Sequence, residues 1–118
     1  MRPDVSRETA DKLSAFERMV VTEAAVQNLV SASTLDQFAE RHVADSLQLA
    51  RFIGLDQTVI DIGSGAGLPG VALACLGHGV TLVEPRKLRA DFLRRVVAEL
   101  VLPATVIASK AEQVSGQY

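Results

Sequence analysis

The run Asp61-Ile62-Gly63-Ser64-Gly65-Ala66-Gly67-Leu68-Pro69-Gly70 holds half of the eight glycines in a chain of 118 residues. Thr58–Ile62 precedes it, a short β-branched stretch that reads as a strand. Val71–Leu76 follows and reads as a short helix, bounded by Gly77 and Gly79. Strand, glycine loop and helix in that order restrict the chain to few folds. Glycine reaches φ > 0 without a steric cost and lets a ligand lie against bare main chain. The helix that follows begins with unpaired N–H groups.

The rest of the pattern fits around this unit. Val80–Val83 reads as a second buried strand. Arg86–Leu100 reads as a helix with Phe92, Val96 and Leu100 on one face, and Thr105–Ala108 as a third strand. Strands that alternate with helices imply a parallel sheet with right-handed crossovers. Residues 1–53 read as helical, with Leu13, Phe16, Val20 and Ala24 on one face. Ser31-Ala32-Ser33 interrupts that helix. Thr34-Leu35-Asp36-Gln37 fits a capping box for a second one, with Leu35, Phe38, Val43, Leu47 and Ala50 as its apolar face and Gly54 as its stop. The expected division is therefore a helical extension over 1–54 and an α/β unit over 55–118. Three parallel strands make only one half of a doubly wound nucleotide fold, whose ligand crevice lies where strand order reverses. The expectation is a chain lacking the C-terminal half of such a domain.

Composition narrows the function. Hydrophobic residues make up 48% and aromatics 4%, with no Trp, so the core must be aliphatic. A net charge of −2 excludes a generally basic nucleic-acid coat protein and leaves room only for a local basic patch. Arg86, Lys87, Arg89, Arg94 and Arg95 form such a stripe against Asp91, readable as an RNA contact or as a solvated helix face. The single cysteine, Cys75, excludes an internal disulfide and fits a reducing compartment; inside an apolar helix it reads as a small buried hydrophobe. His42 and His78 are far apart and lack a cysteine pair, so no metal site is expected, and His78 reads as a turn residue. No apolar run approaches the ~20 residues of a membrane span, and the N-terminus has no signal-peptide pattern. A cytoplasmic protein is expected.

Two constellations carry chemistry. Glu84 closes the second strand, 21 positions beyond Gly63. A carboxylate at that separation meets the ribose hydroxyls of an adenosine cofactor. Residues 65–70 match G-x-G-x-x-G, which keeps a dinucleotide open. Two features favour S-adenosylmethionine: Asp61 two positions before the first glycine, in the D-x-G-x-G-x-G style of class I methyltransferases, and Pro69, which removes an amide that a pyrophosphate would use. The second constellation is Arg41-His42-Val43-Ala44-Asp45-Ser46. On a helix His42 lies at i+3 and i+4 spacing from Asp45 and Ser46, and Arg41 at i+4 from Asp45. These groups either reach a substrate or fasten this helix to the glycine-rich unit, and the second reading is preferred.

Asn28-Leu29-Val30-Ser31, Thr34, Arg41-His42 with Asp45-Ser46-Leu47, the whole Asp61–Gly70 string, Phe92-Leu93 and Lys110-Ala111-Glu112 resemble the RsmG (GidB) family of bacterial 16S ribosomal RNA guanine-N7 methyltransferases. The similarity runs from about residue 20 to the C-terminus. It implies a class I S-adenosylmethionine-dependent methyltransferase fold, a Rossmann-like parallel sheet with an N-terminal helical extension. It also implies cofactor contacts from Asp61, Gly63, Gly65, Gly67 and Leu68, ribose contacts from Glu84, and Ala111-Glu112 beside the adenine. The implied partner is 16S rRNA or the small ribosomal subunit. The chain departs from the family in having Lys110 where Arg is usual and in lacking a Trp-Asn pair before Asn28; family members also continue beyond this length.

Overall fold

The computed structural model describes residues 6–27, 38–63 and 66–110. The capping box at 34–37, with Leu35, lies outside the described residues. Helix α1 spans Arg7–Glu23. It starts where the Ser6 hydroxyl accepts from the Thr9 amide at 3.1 Å, satisfying one of the free N–H groups of the first turn. Leu13, Phe16 and Val20 are fully buried, as their spacing predicts. The face does not continue to Ala24, which is the half-buried C-cap; Glu23 is buried instead.

The reason lies on a distant helix. Arg95 donates through both terminal nitrogens to the two Glu23 oxygens, at 3.0 and 2.8 Å, and Gln27 donates to the same carboxylate and to the Leu88 carbonyl. A bidentate guanidinium makes burial of a carboxylate tolerable.

The second helical segment is not a uniform α-helix. Phe38–Val43 forms a π-helical turn, α2 runs Ala44–Leu49, and a 3-10 turn closes it over Ala50–Phe52. Of its expected apolar face, Val43 is fully buried, and Leu47 and Ala50 pack against the core. The remaining elements are β1 Val59–Ile62, α3 Gly70–Cys75, β2 Val80–Val83, α4 Lys87–Leu100 and β3 Ala104–Ile107. Each begins within a residue of its sequence expectation. β3 starts one residue early, directly after Pro103, whose carbonyl accepts from the Val80 amide at 3.0 Å.

The sheet is parallel throughout, in the order β1-β2-β3, with Val59 beside Val80 and Val80 beside Ala104. One aliphatic core joins α1, α3 and α4 to one face of it: Phe16, Val71, Leu73, Phe92, Leu93 and Val96 meet Val80 and Leu82. On β1 the other face carries Ile60 and Ile62, both exposed. Wholly parallel sheets are ordinarily covered on both faces.

α4 ends without a glycine. Val101 takes the left-handed conformation (φ 53°, ψ 61°), and the Leu102 amide closes the turn on the Val97 carbonyl at 3.0 Å. A β-branched residue is strained there, where helix stops favour glycine. Val101→Gly is expected to raise stability by roughly 0.5–1 kcal/mol, read as a higher midpoint in urea.

Glu23 makes the second prediction. Hydrogen bonds from Arg95 and then Gln27 hold its carboxyl below the usual range. A carboxyl lowered by folding stabilises the protein above its unfolded pKa, and that stabilisation is lost as pH falls through its folded value. Glu23→Gln should therefore cost about 2 kcal/mol at pH 7. The gap between mutant and wild type should close below roughly pH 4, as measured by denaturation across pH.

Candidate functional site

The C-terminal ends of the three strands lie side by side. The Gly63 amide donates to the Val83 carbonyl at 2.8 Å, and the Glu84 amide to the Ile107 carbonyl at 2.9 Å. These bonds extend the ladder one step past the strands and set Gly63 next to the start of the Glu84 turn. In open α/β sheets this carboxyl edge is where ligands bind.

The glycines of the loop divide by role. Gly63 has φ +72°, and among the described residues no atom lies within 4 Å of where its β-carbon would stand. It is bare backbone facing open space. Gly67 is the opposite. At φ +111° its β-carbon would come within 2.8 Å of Val71 Cγ2, 3.2 Å of Phe16 Cζ and 3.3 Å of Leu93 Cδ2. It is a packing glycine, buried beneath α1 and α4. Gly70 is another, closed off by the Leu82 side chain and by Asp61 Oδ2. Gly65 lies outside the described residues. The single sequence string thus combines one open position with two that serve the core.

Asp61 sits half-buried on β1, and its Oδ2 accepts from the Gly70 amide at 3.0 Å. It ties the end of the glycine loop back to the strand. The Val71 amide is taken by the Gly67 carbonyl at 2.6 Å, and Pro69 has no amide to give. The start of α3 therefore offers no free donor at positions 69, 70 or 71, and a pyrophosphate would find none there. Leu68 is half-buried and packs against the core.

Glu84 has no solvent-accessible surface. Its carboxylate accepts from the Arg86 main-chain amide at 2.8 Å, from Arg86 Nε at 2.9 Å and from Arg86 Nη2 at 3.0 Å. Spacing alone gave no sign of this partner. Ala111 and Glu112 lie outside the described residues, and Lys110, just before them, is exposed.

The 41–46 segment spans the π-helical turn and the start of α2. Ser46 is buried and its hydroxyl donates to the His42 carbonyl at 3.0 Å, within its own segment. Arg41 and Asp45 are exposed and His42 is half-buried. α2 packs on α3, and Val43 and Leu47 join or pack against the apolar core.

The basic stripe is largely neutralised by the chain itself. Lys87 and Arg94 both reach Asp91, at 3.0 and 3.5 Å, Arg95 pairs with Glu23 and Arg86 with Glu84. This favours the solvated-face reading. Cys75 is buried, and desolvation pushes its thiol up to about 11, which leaves it unreactive near neutrality. His78 follows the Gly77 turn but is buried, and its Nδ1 has no hydrogen-bond partner among the described residues. No group of residues suited to a metal ion is present among the described residues, and none of their helices is long and apolar enough to cross a membrane.

Comparison with known proteins decides the family. The model of the GidB family, described as rRNA small subunit methyltransferase G, matches residues 9–118. The chain belongs to the GidB family. Three relatives carry the name "Ribosomal RNA small subunit methyltransferase G". That of Rhodospirillum centenum is 48% identical over 92% of this chain and 51% of its own length. That of Gluconobacter oxydans is 42% identical over 94% and 58%, and that of Zymomonas mobilis 37% over 96% and 56%. The chain spans about half the length of these relatives. Family and sheet together make the fold that of a class I methyltransferase, present in part.

The division among the glycines is testable. Gly63→Val is expected to weaken binding of S-adenosylhomocysteine by at least tenfold while costing about 1–2 kcal/mol in stability. Gly67→Ala should act mainly on folding, costing about 1–3 kcal/mol through overpacking. Calorimetric titration beside thermal denaturation distinguishes them, and equal affinities in wild type and Gly63→Val would contradict the assignment.

Proposed function

We propose that this chain is the cofactor-binding part of an S-adenosylmethionine-dependent methyltransferase that acts on N7 of a guanine in 16S rRNA. The observation that carries the reading is the juxtaposition of Gly63, open and at positive φ, with Glu84 at the adjoining strand end. A nucleoside needs such a pair: uncovered main chain to lie against, and a carboxylate to accept from the ribose hydroxyls. The satisfied start of α3 fits a cofactor without a pyrophosphate.

In this reading Gly63 and Leu68 hold the cofactor from the loop, Glu84 takes the ribose, and Ala111 with Glu112 flanks the adenine. Gly65 is proposed as a further cofactor contact. Asp61 and Gly67 act indirectly, by fixing the loop's course. Residues 1–54 serve as a helical extension whose Leu13, Phe16, Val20 and Val43 join the core, and the exposed Arg41 and Asp45, with the half-buried His42, are placed to meet a substrate. When bound, the cofactor supplies a methyl group on a positively charged sulfur. N7 of guanine already has a free lone pair, so no residue needs to remove a proton first. What the protein must contribute is proximity, alignment and exclusion of water. The proposed partner is the small ribosomal subunit, in the cytoplasm.

Two measurements test this. Thermal shift with S-adenosylhomocysteine, NAD and ATP should show stabilisation by the first; a shift with NAD alone would overturn the cofactor assignment. Mass mapping of 16S rRNA from cells lacking the gene should show loss of one N7-methylguanine, and an unchanged pattern sinks the substrate assignment.

A further inference from the structure

Glu84 is enclosed, yet the proposed reading asks its carboxylate to meet a ribose. The groups on it show how access is controlled. Arg86 Nε and Nη2 lie on Oε2 and Oε1 respectively, a two-point grip that matches the fork of a guanidinium to a carboxylate. Two neighbouring ribose hydroxyls would use the same two oxygens. The Arg86 side chain is 55% exposed while that of Glu84 is fully covered.

The main chain is held at both residues. The Glu84 amide is bound to the Ile107 carbonyl, and the Arg86 carbonyl accepts from the Ala90 amide at 2.9 Å in the first turn of α4. The Arg86 amide itself donates to Glu84 Oε2 at 2.8 Å, a bond the carboxylate keeps when the guanidinium leaves. Among the described residues the guanidinium's polar partners are the two oxygens of Glu84. Release of the guanidinium therefore needs rotation of one half-exposed side chain into water.

We propose that Arg86 is a gate on the nucleoside site: its guanidinium closes over Glu84 in the empty protein and is displaced by the hydroxyl pair of an entering ribonucleoside. This rests on the cofactor reading above. In the closed state Arg86 holds the carboxylate aligned, which makes it a positioning residue. It also lowers apparent affinity, because only the open fraction can bind. Other bases of the same helix are engaged elsewhere, Lys87 and Arg94 on Asp91 and Arg95 on Glu23. Arg86 is bound to the proposed site itself.

The test is calorimetric titration of S-adenosylhomocysteine into the 118-residue chain and its variants. Arg86→Ala should bind roughly fivefold to tenfold more tightly than wild type. Arg86→Lys should fall between them, because an ammonium cannot span both oxygens. In a Glu84→Gln background, Arg86→Ala should give no further gain, a coupling that a merely structural role would not produce. If wild type binds and both Arg86 variants bind equally or more weakly, the gate is wrong and the cofactor site stands. An equal gain in the Glu84→Gln background also overturns the gate. If neither wild type nor the variants bind, the cofactor reading falls, and the gate with it.

Discussion

At Gly67 the chain passes through a gap bounded by Phe16 of α1, Leu93 of α4 and Val71 of α3, and the nearest of these leaves 2.8 Å for a β-carbon that is not there. Much of the molecule depends on that close approach. The loop after β1 can cross beneath two helices only as bare backbone, so α1, α3 and α4 are drawn into one aliphatic core. Its other end starts at Gly63, which is tied to Val83 at the carboxyl edge of the sheet. Asp61 fixes the far side by accepting from the Gly70 amide. Packing and site are two ends of one short segment.

The same region shows two uses of a buried carboxylate. Glu23 and Glu84 are both removed from solvent and both held by an arginine at two points. A buried carboxylate is costly without such a partner. Glu23 joins helices far apart in sequence and has a structural role. Glu84 is gripped by a neighbour two residues on, at the edge where ligands bind in folds of this kind. Topology gives the two pairs different meanings, although their chemistry is alike.

The sheet is covered unevenly: Thr81 and Val83 of β2 are buried on the face where β1 exposes Ile60 and Ile62. Relatives are about twice as long as this chain, and β1 leaves Ile60 and Ile62 exposed on one face. Parallel sheets ordinarily bury both faces, and these two isoleucines depart from that pattern.

A good part of this was legible from residue order. The three strands, the glycine loop, the faces Leu13-Phe16-Val20 and Phe92-Val96-Leu100, and the inert Cys75 all follow from local periodicity and residue type, because burial repeats at 3.6 residues in a helix and the strands stand out as short β-branched runs. Tertiary structure decided the rest. It assigned Gly67 and Gly70 to packing and left Gly63 open, although the three are alike in sequence. It buried Glu23 in place of Ala24, enclosed His78, turned Phe38–Val43 into a π-helical turn and put Val101 in a left-handed stop. It also gave the stripe of bases to carboxylates of the chain itself. Each of these depends on which segments meet in space. Pairing across 72 positions, as between Glu23 and Arg95, has no local signature, since the energy of a contact is set by the distance between groups and not by their separation along the chain.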